Sequence, residues 1–368
     1  MAICSVLSYF CSMKPNPPKV LVAPLEWGLG HATRCIPIIR ELVSLGAEVT
    51  ICANGACKIL LGNEFPALKT IEIPGFYIQY PENGSMALSM LSQVPTLLSA
   101  IRIEHRLLQE AILKNGFTHI ISDNRYGMYT NSAKTAFITH QVHIKGGKKF
   151  KFMESLIFRI NKKLIERFDE LWIPDVTTTP NLSGTLSEAT RINIPAQHIG
   201  VLSRFSSTSL ESEKKYDFIA LLSGPEPQRS LLETKVRKYF MGLNKKCLII
   251  QGLPSKNEKE KINDIEIVPS IKTEELAAIL HPDTLLISRP GYSTIMDMAT
   301  LGHRKILFVP TPGQTEQEYL ADYFKRIYKY RYIGQKENFP EEPVMDGDLL
   351  PATIPNELLT QSLKKFLA

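Results

Sequence analysis

Two short stretches carry residue types and spacings that could do chemistry. The first is Ser288-Arg289-Pro290-Gly291-Tyr292-Ser293-Thr294, followed by Ile295, Met296, Asp297, Met298 and Ala299. It reads as the end of a strand over Thr284–Ser288, a glycine turn, and a helix whose first turn offers Ser293 and Thr294 as caps. Unpaired amides at a helix start, reinforced by the helix dipole, form a ready anion site. Asp297 falls one turn further in. An apolar run over Lys305–Val309 follows, completing a parallel βαβ unit. The chemistry implied is capture of a phosphate-bearing ligand; an ordinary crossover would leave the same residues with only capping to do.

The second stretch, Leu25-Glu26-Trp27-Gly28-Leu29-Gly30-His31-Ala32-Thr33-Arg34, follows the apolar run Lys19–Pro24. It leads into helical spacing at Ala32, Cys35, Ile36, Ile39, Leu42 and Val43, and then a strand over Ala47–Ala53. This turn is not a dinucleotide fingerprint, because Thr33 stands where the third glycine would be. Three nearby residues are candidates for a general base. His31 has a suitable ordinary pKa. Asp123 follows the apolar run Thr118–Ser122, and Glu26 lies in the turn itself. Each of the three has an alternative structural role. His140, after a further strand, is expected to line an acceptor cleft.

The elements needed to hold these turns are legible as alternating strand and helix patterns. Strands are predicted at 19–24, 47–53, 68–73, 118–122, 134–139 and 170–174, then at 217–223, 246–251, 264–269, 284–288 and 305–309. Helices are predicted at 31–45, 86–114, 151–168, 228–241, 273–280, 292–301 and 315–328. Such alternation predicts two doubly wound α/β domains. The polar stretch 203–215 is the expected linker. It separates an acceptor-side domain over 19–202 from a donor-nucleotide domain over 216–354, with a closing helix over 355–368. Residues 1–18 read as a disordered extension, with Met13 as a natural start. Ligands of open α/β sheets bind beyond the carboxyl ends of the strands, where both glycine turns fall. Two such domains face to face form one cleft suited to joining two large substrates.

Bulk properties narrow the classes. The 368 residues are 44% hydrophobic and 22% charged, with a net charge of +6, which describes a globular chain of two ordinary domains. That charge suits anionic ligands, and no basic tract interleaved with aromatics reads as a nucleic-acid site. The six cysteines form no CxxC pair, so neither structural zinc nor a disulfide framework is expected. No apolar run is long enough to span a bilayer and no secretory leader is legible. A cytoplasmic location is therefore expected. Asp346-Gly347-Asp348 matches the Asp-x-Asp string of metal-dependent sugar transferases but sits in a Pro-flanked loop, and it is read as a surface turn. Lys145-Gly146-Gly147-Lys148-Lys149-Phe150-Lys151-Phe152 leads into an amphipathic stretch, a pattern that fits either docking on the inner face of an anionic membrane or a solvated helix face.

These motifs together resemble the GT-B glycosyltransferases of family 28, such as the lipid II-forming N-acetylglucosaminyltransferase and the plant galactolipid synthases. The resemblance covers mainly Asp217 to Phe324, with the glycine loop of the first half. It implies a nucleotide-sugar donor, with a uridine base, a small-molecule or lipid-linked acceptor, inverting transfer, and no metal or other cofactor. It places Gly291, Tyr292 and Ser293, next to Ser288, at the donor diphosphate. Asp297 stands where the family has a glutamate for the ribose hydroxyls, and Ile271 where the backbone holds the base. Gln317 and Glu318 match a Gln-Gln pair on the donor sugar, with Glu318 departing from it. Ser223, Gly224 and Arg229 lie in a loop that is glycine-rich in the family. Gly28, Gly30 and His31 match the end of the first-domain loop beside the diphosphate and acceptor. The same fold also serves non-hydrolysing nucleotide-sugar epimerases, and a non-catalytic nucleotide-sugar-binding protein is the remaining alternative.

Overall fold

The structure, a computed structural model, describes residues 16–75, 86–147, 151–205, 214–341, 344–352 and 356–368, with side chains in the helix opening at Met86 described from residue 95. Most of the expected extension, Lys148–Phe150 of the basic cluster and the middle of the expected linker lie outside these residues.

The first half runs β1 (Lys19–Pro24), α1 (Leu29–Ser44), β2 (Glu48–Cys52), α2 (Gly55–Glu64), β3 (Lys69–Ile71), α3 (Met86–Asn115), β4 (His119–Asp123), β5 (Lys134–Ile138), α4 (Glu154–Ile165), β6 (Glu170–Ile173) and β7 (Ala196–His198). Its seven strands lie in the order β3-β2-β1-β4-β5-β6-β7, and all pair in parallel. Val20, Leu21, Val22 and Ala23 are fully buried. This is expected of a central parallel strand covered on both faces, where successive side chains point to opposite sides. Val20 and Val22 pack with Ile36 and Ile39 of α1, while Leu21 and Ala23 pack with Leu108 of α3 and Phe158 of α4.

The second half runs β8 (Phe218–Leu221), α5 (Gln228–Met241), β9 (Cys247–Ile250), β10 (Glu260–Ile262), β11 (Ile265–Val268), α6 (Thr273–Ile279), β12 (Leu285–Ser288), α7 (Tyr292–Leu301), β13 (Ile306–Phe308), α8 (Thr315–Tyr328), β14 (Arg331–Tyr332) and α9 (Glu357–Leu367). The order is β10-β11-β9-β8-β12-β13-β14, parallel except for the β10–β11 hairpin. Helix α7 ends at Gly302, whose φ of 62° is left-handed, and the His303 amide reaches back to the Met298 carbonyl at 3.0 Å.

Each sheet reverses strand order once, between β1 and β4 and between β8 and β12. These switch points hold the two glycine turns, as the rule for open α/β sheets requires. The halves are not loosely tethered. One continuous core contains Ile36 and Ile39 of α1 together with Ile295 and Met296 of α7. Helix α9 returns to the first half, where the Asn356 amide donates to the carbonyls of Ile199 (3.0 Å) and Val201 (2.9 Å). Tyr323 and Tyr328 of α8 donate across the interface to the Asn181 carbonyl at 2.8 and 2.9 Å. No described helix is long and apolar enough to cross a membrane.

Candidate active site

Between the halves lies a cleft of about 250 Å³ at the carboxyl ends of both sheets. Of the residues singled out by sequence, the structure brings Gly30, His31, His140, Ser223, Ile271, Gly291, Tyr292, Ser293 and Asp297 onto its walls. Arg34, Arg204 and Glu316 join them and were not singled out.

On the first-half wall, β4 ends at Asp123. The left-handed Asn124 (φ 57°) then turns the chain away, leaving the Asp123 carboxylate fully buried. Arg34, one helical turn along α1 from His31, grips that carboxylate with two parallel N–H groups, Nε at 2.6 Å. His31 Nδ1 lies 3.2 Å from Asp123 Oδ2 and 2.9 Å from an Arg34 terminal nitrogen. Burial pushes the Asp123 carboxyl up, but the Arg34 guanidinium and His31 outweigh it and hold it well below the usual carboxylate range. Asp123 therefore reaches the cleft only through His31 and Arg34, and the two candidate bases form one assembly. Because Arg34 can only donate, its contact makes His31 Nδ1 an acceptor and leaves the proton on Nε2. In the other tautomer Nδ1 donates to Asp123 and Nε2 has a free lone pair toward the cleft.

The same Arg34 donates to His140 Nδ1 at 3.2 Å, which puts the His140 proton on Nε2, 2.7 Å from Glu316 Oε1 of the facing half. Burial pushes the His140 imidazole below its ordinary value, and Glu316 pulls part of the way back. The imidazole stacks flat on the Tyr292 ring, 3.9 Å between centroids and 2° between planes.

On the second-half wall, the expected details change. Gly291 has an ordinary φ of −72°, so no left-handed turn calls for glycine there. A Cβ on it would meet nothing within 4 Å, so glycine keeps open space before the helix. Ser293 and Thr294 do not cap α7. Ser293 Oγ instead donates to the Gly30 carbonyl at 2.7 Å, which also accepts from Thr33 Oγ1 at 2.9 Å. A Cβ on Gly30 would sit 2.8 Å from Ser293 Oγ, so this glycine is what lets the two turns touch. The first-turn amides of α7 lack intrahelical partners by construction and border the cleft. Asp297 is 4% exposed and already engaged. It accepts from Ser203 Oγ (2.7 Å) and Arg204 Nε (3.2 Å), so these first residues of the expected linker are packed wall rather than free chain. Burial raises the Asp297 carboxyl, with Arg204 offsetting part of the rise.

The remaining sequence-selected residues lie off the cleft walls. Glu26, with its side chain 3% exposed, turns into the first half toward Asn54 and Arg125. Gly28 precedes α1 with open space around it. Ser288 is buried at the end of β12. Gly224 takes a φ of 106°, which the turn after β8 requires of glycine. Arg229, the candidate phosphate ligand, is spent on Glu226 (2.6 Å) and Glu233 (2.7 Å). Gln317 and Glu318 accept from the backbone amides of Thr311 (2.8 Å) and Gly313 (2.9 Å) and so brace their own loop. Glu316, one residue earlier and about 100° round the helix, is the side chain that faces the cleft. In the Asp346-Gly347-Asp348 string, Asp348 pairs with Lys329 at 3.1 Å, and no cluster able to hold a metal ion occurs among the described residues.

No protein-family model matches this chain, and no curated protein matches it in sequence. Its shape does match solved structures. UGT89C1 of Arabidopsis thaliana, complexed with quercetin, superposes with a TM-score of 0.57 at 14% identity, covering 95% of this chain and 90% of that one. The same protein complexed with UDP-L-rhamnose gives 0.54 at 13% identity, covering 95% and 92%. The glycotransferase of kitacinnamycin gives 0.58 at 12% identity, covering 96% and 91%. At these identities the likeness establishes the architecture: two Rossmann-like domains facing a central cleft, the GT-B fold.

Proposed function

We propose that this chain is a glycosyltransferase, similar to family 28, that moves a sugar from a UDP-sugar to an acceptor hydroxyl with inversion and without a metal. One observation carries the reading. The contact between Ser293 Oγ and the Gly30 carbonyl puts the first turn of α7 and His31 in a single cleft. An anion-binding helix start and an imidazole then flank the same space. UGT89C1, with the same fold, is complexed with UDP-L-rhamnose in one structure, which supports a nucleotide-sugar donor.

In this reading the acceptor O–H gives its proton to His31 Nε2. Its oxygen forms the new bond to the anomeric carbon while the bond from that carbon to the diphosphate oxygen breaks. Asp123 accepts from Nδ1–H and orients the ring, so it is a positioning residue. The α7 amides take up the charge of the leaving diphosphate. Ribose hydroxyls reach Asp297 only in place of Ser203 and Arg204. The expected result is stabilisation by UDP in a thermal-shift screen against UDP, GDP and dTDP, lost in Asp297→Ala and weakened in Gly291→Asp. A folded protein that no nucleotide stabilises would contradict the reading. An isomerised nucleotide sugar formed from the donor without added acceptor would identify an epimerase instead.

The acceptor side has its own signature. Phe152, Leu156 and Ile160 are 80%, 54% and 48% exposed on and just before α4, beside the exposed Lys151, Arg159 and Lys163. An apolar stripe with a basic border fits peripheral docking on the anionic inner face of a membrane and a lipid-linked acceptor. The protein is expected to float with phosphatidylglycerol vesicles but not with phosphatidylcholine, and Leu156→Asp with Phe152→Asp to abolish flotation. No flotation of the unaltered protein would count against the membrane reading and favour a soluble acceptor.

A further inference from the structure

His31 Nδ1 stands between two groups that make opposite demands on it. On one side is Asp123 Oδ2 at 3.2 Å, a carboxylate oxygen that only accepts. On the other is a terminal nitrogen of Arg34 at 2.9 Å, which only donates. A single proton cannot satisfy both, and the surroundings decide for Arg34. Asp123 already takes two N–H groups from that guanidinium, one of them Nε at 2.6 Å, so its charge is paired without His31. Arg34 is 2% exposed. A buried N–H facing a protonated Nδ1 would lose its acceptor, which costs more than a carboxylate lone pair left over. Nor is the guanidinium free to swing aside. Its other terminal nitrogen lies 3.2 Å from His140 Nδ1, and His140 Nε2 is held by Glu316 at 2.7 Å.

We propose that Arg34 is a brake on His31: before an acceptor binds, it keeps the imidazole proton on Nε2, so that the lone pair a base needs faces Arg34 instead of the cleft. The inference rests on the reading of His31 as the base. Arg34 touches no reacting atom and is a positioning residue. The brake distinguishes an acceptor from water. A water molecule can donate or accept, so it takes the Nε2–H as it finds it. A hydroxyl held by the rest of a bound acceptor is oriented to donate. Its bond to Nε2 offsets the move of the proton to Nδ1, where Asp123 accepts it. Loss of the donor to hydrolysis is thereby held down.

The test needs no sugar. Nitrogen NMR of the ligand-free protein carrying isotope-labelled histidine reads which ring nitrogen bears the proton, and His31→Gln assigns the signal. At mildly alkaline pH, Nδ1 of His31 is expected to be the unprotonated nitrogen. Diethyl pyrocarbonate acylates an imidazole nitrogen through its lone pair, and peptide mass spectrometry gives the rate at His31. Arg34→Lys keeps a charge beside Asp123, but the ammonium ends where the guanidinium carbon was and falls short of Nδ1. In this variant, with folding checked by circular dichroism, the proton is expected on Nδ1 and acylation of His31 to be at least about tenfold faster. A protonated Nδ1 in the unaltered protein overturns the inference, and that spectrum decides even where Arg34→Lys does not fold. A folded Arg34→Lys with the proton still on Nε2, or with an unchanged acylation rate, also overturns it and leaves Arg34 as the counter-charge of Asp123 alone. The thermal shift given by UDP is read separately. A folded protein that UDP does not stabilise removes the reading beneath the brake and leaves the tautomer result standing.

Discussion

His31→Ala is expected to lower sugar transfer by about 10²–10⁴-fold, the range a positioned general base contributes, while the thermal shift given by UDP stays unchanged. The split follows from geometry. His31 lies at the start of α1 with a cleft-facing imidazole, whereas the amides and Asp297 proposed to hold the nucleotide belong to α7 and do not depend on it. Asp123→Asn is expected to cost nearly as much, although Asp123 touches no substrate. An amide in place of the carboxylate no longer favours the tautomer with Nδ1–H, and Arg34, 2.9 Å from Nδ1, then keeps the proton on Nε2. An inactive His31→Ala that had also lost its response to UDP would mean that the residue builds the donor site instead. Full activity in His31→Ala would require another base.

The second large effect is on stability. Arg34→Met is expected to destabilise the fold by about 3–5 kcal/mol, read from denaturant midpoints, because it strands a fully buried carboxylate without its counter-charge. Adding Asp123→Asn should restore part of the loss. The pH dependence gives an independent check. In the unaltered protein the Asp123 carboxyl titrates below its unfolded value. Its contribution is therefore fully present above about pH 4 and fades as the pH falls further. Without Arg34, burial would raise that carboxyl above its unfolded value, so protonation relieves the variant as the pH falls. The gap in stability between the two proteins should thus narrow from pH 7 toward pH 4. A gap that stays constant would show that Asp123 is not the source of the loss.

Much of the fold is legible in sequence because parallel strands buried on both faces leave continuous apolar runs. Eleven predicted segments fall on strands β1 to β6, β8, β9 and β11 to β13, of which β3, at a sheet edge, is not buried and β11 is buried on alternate residues. The strands that escape, β7, β10 and β14, have two or three residues, belong to sheet edges or hairpins and lack an apolar run. Helix α2 escapes because only Cys57 and Leu61 are buried on it, too few to set a period. The candidate site was legible in part for a different reason. Glycine and the residues following it mark the two turns, but not which side chains point inward. The motif points to Gln317 and Glu318, which brace their own loop, whereas Glu316, one helical step away, lines the cleft. Ser203 and Arg204 lie 94 and 93 residues from Asp297 in the chain, and no local pattern connects them. Arg34 reads as a solvated helix residue until β4 and the loop after β5 bring Asp123 and His140 to it.

The first turn of α7 and Asp297 are proposed to hold a nucleoside diphosphate beside His31. A crystal structure of the protein with UDP tests it most directly. The diphosphate is expected on the amides of Gly291–Thr294 and the ribose hydroxyls on Asp297, with the Ser203 and Arg204 contacts to that carboxylate broken. UDP bound elsewhere, or a cleft in which Ser203 and Arg204 still occupy Asp297 while the nucleotide is in place, would contradict it.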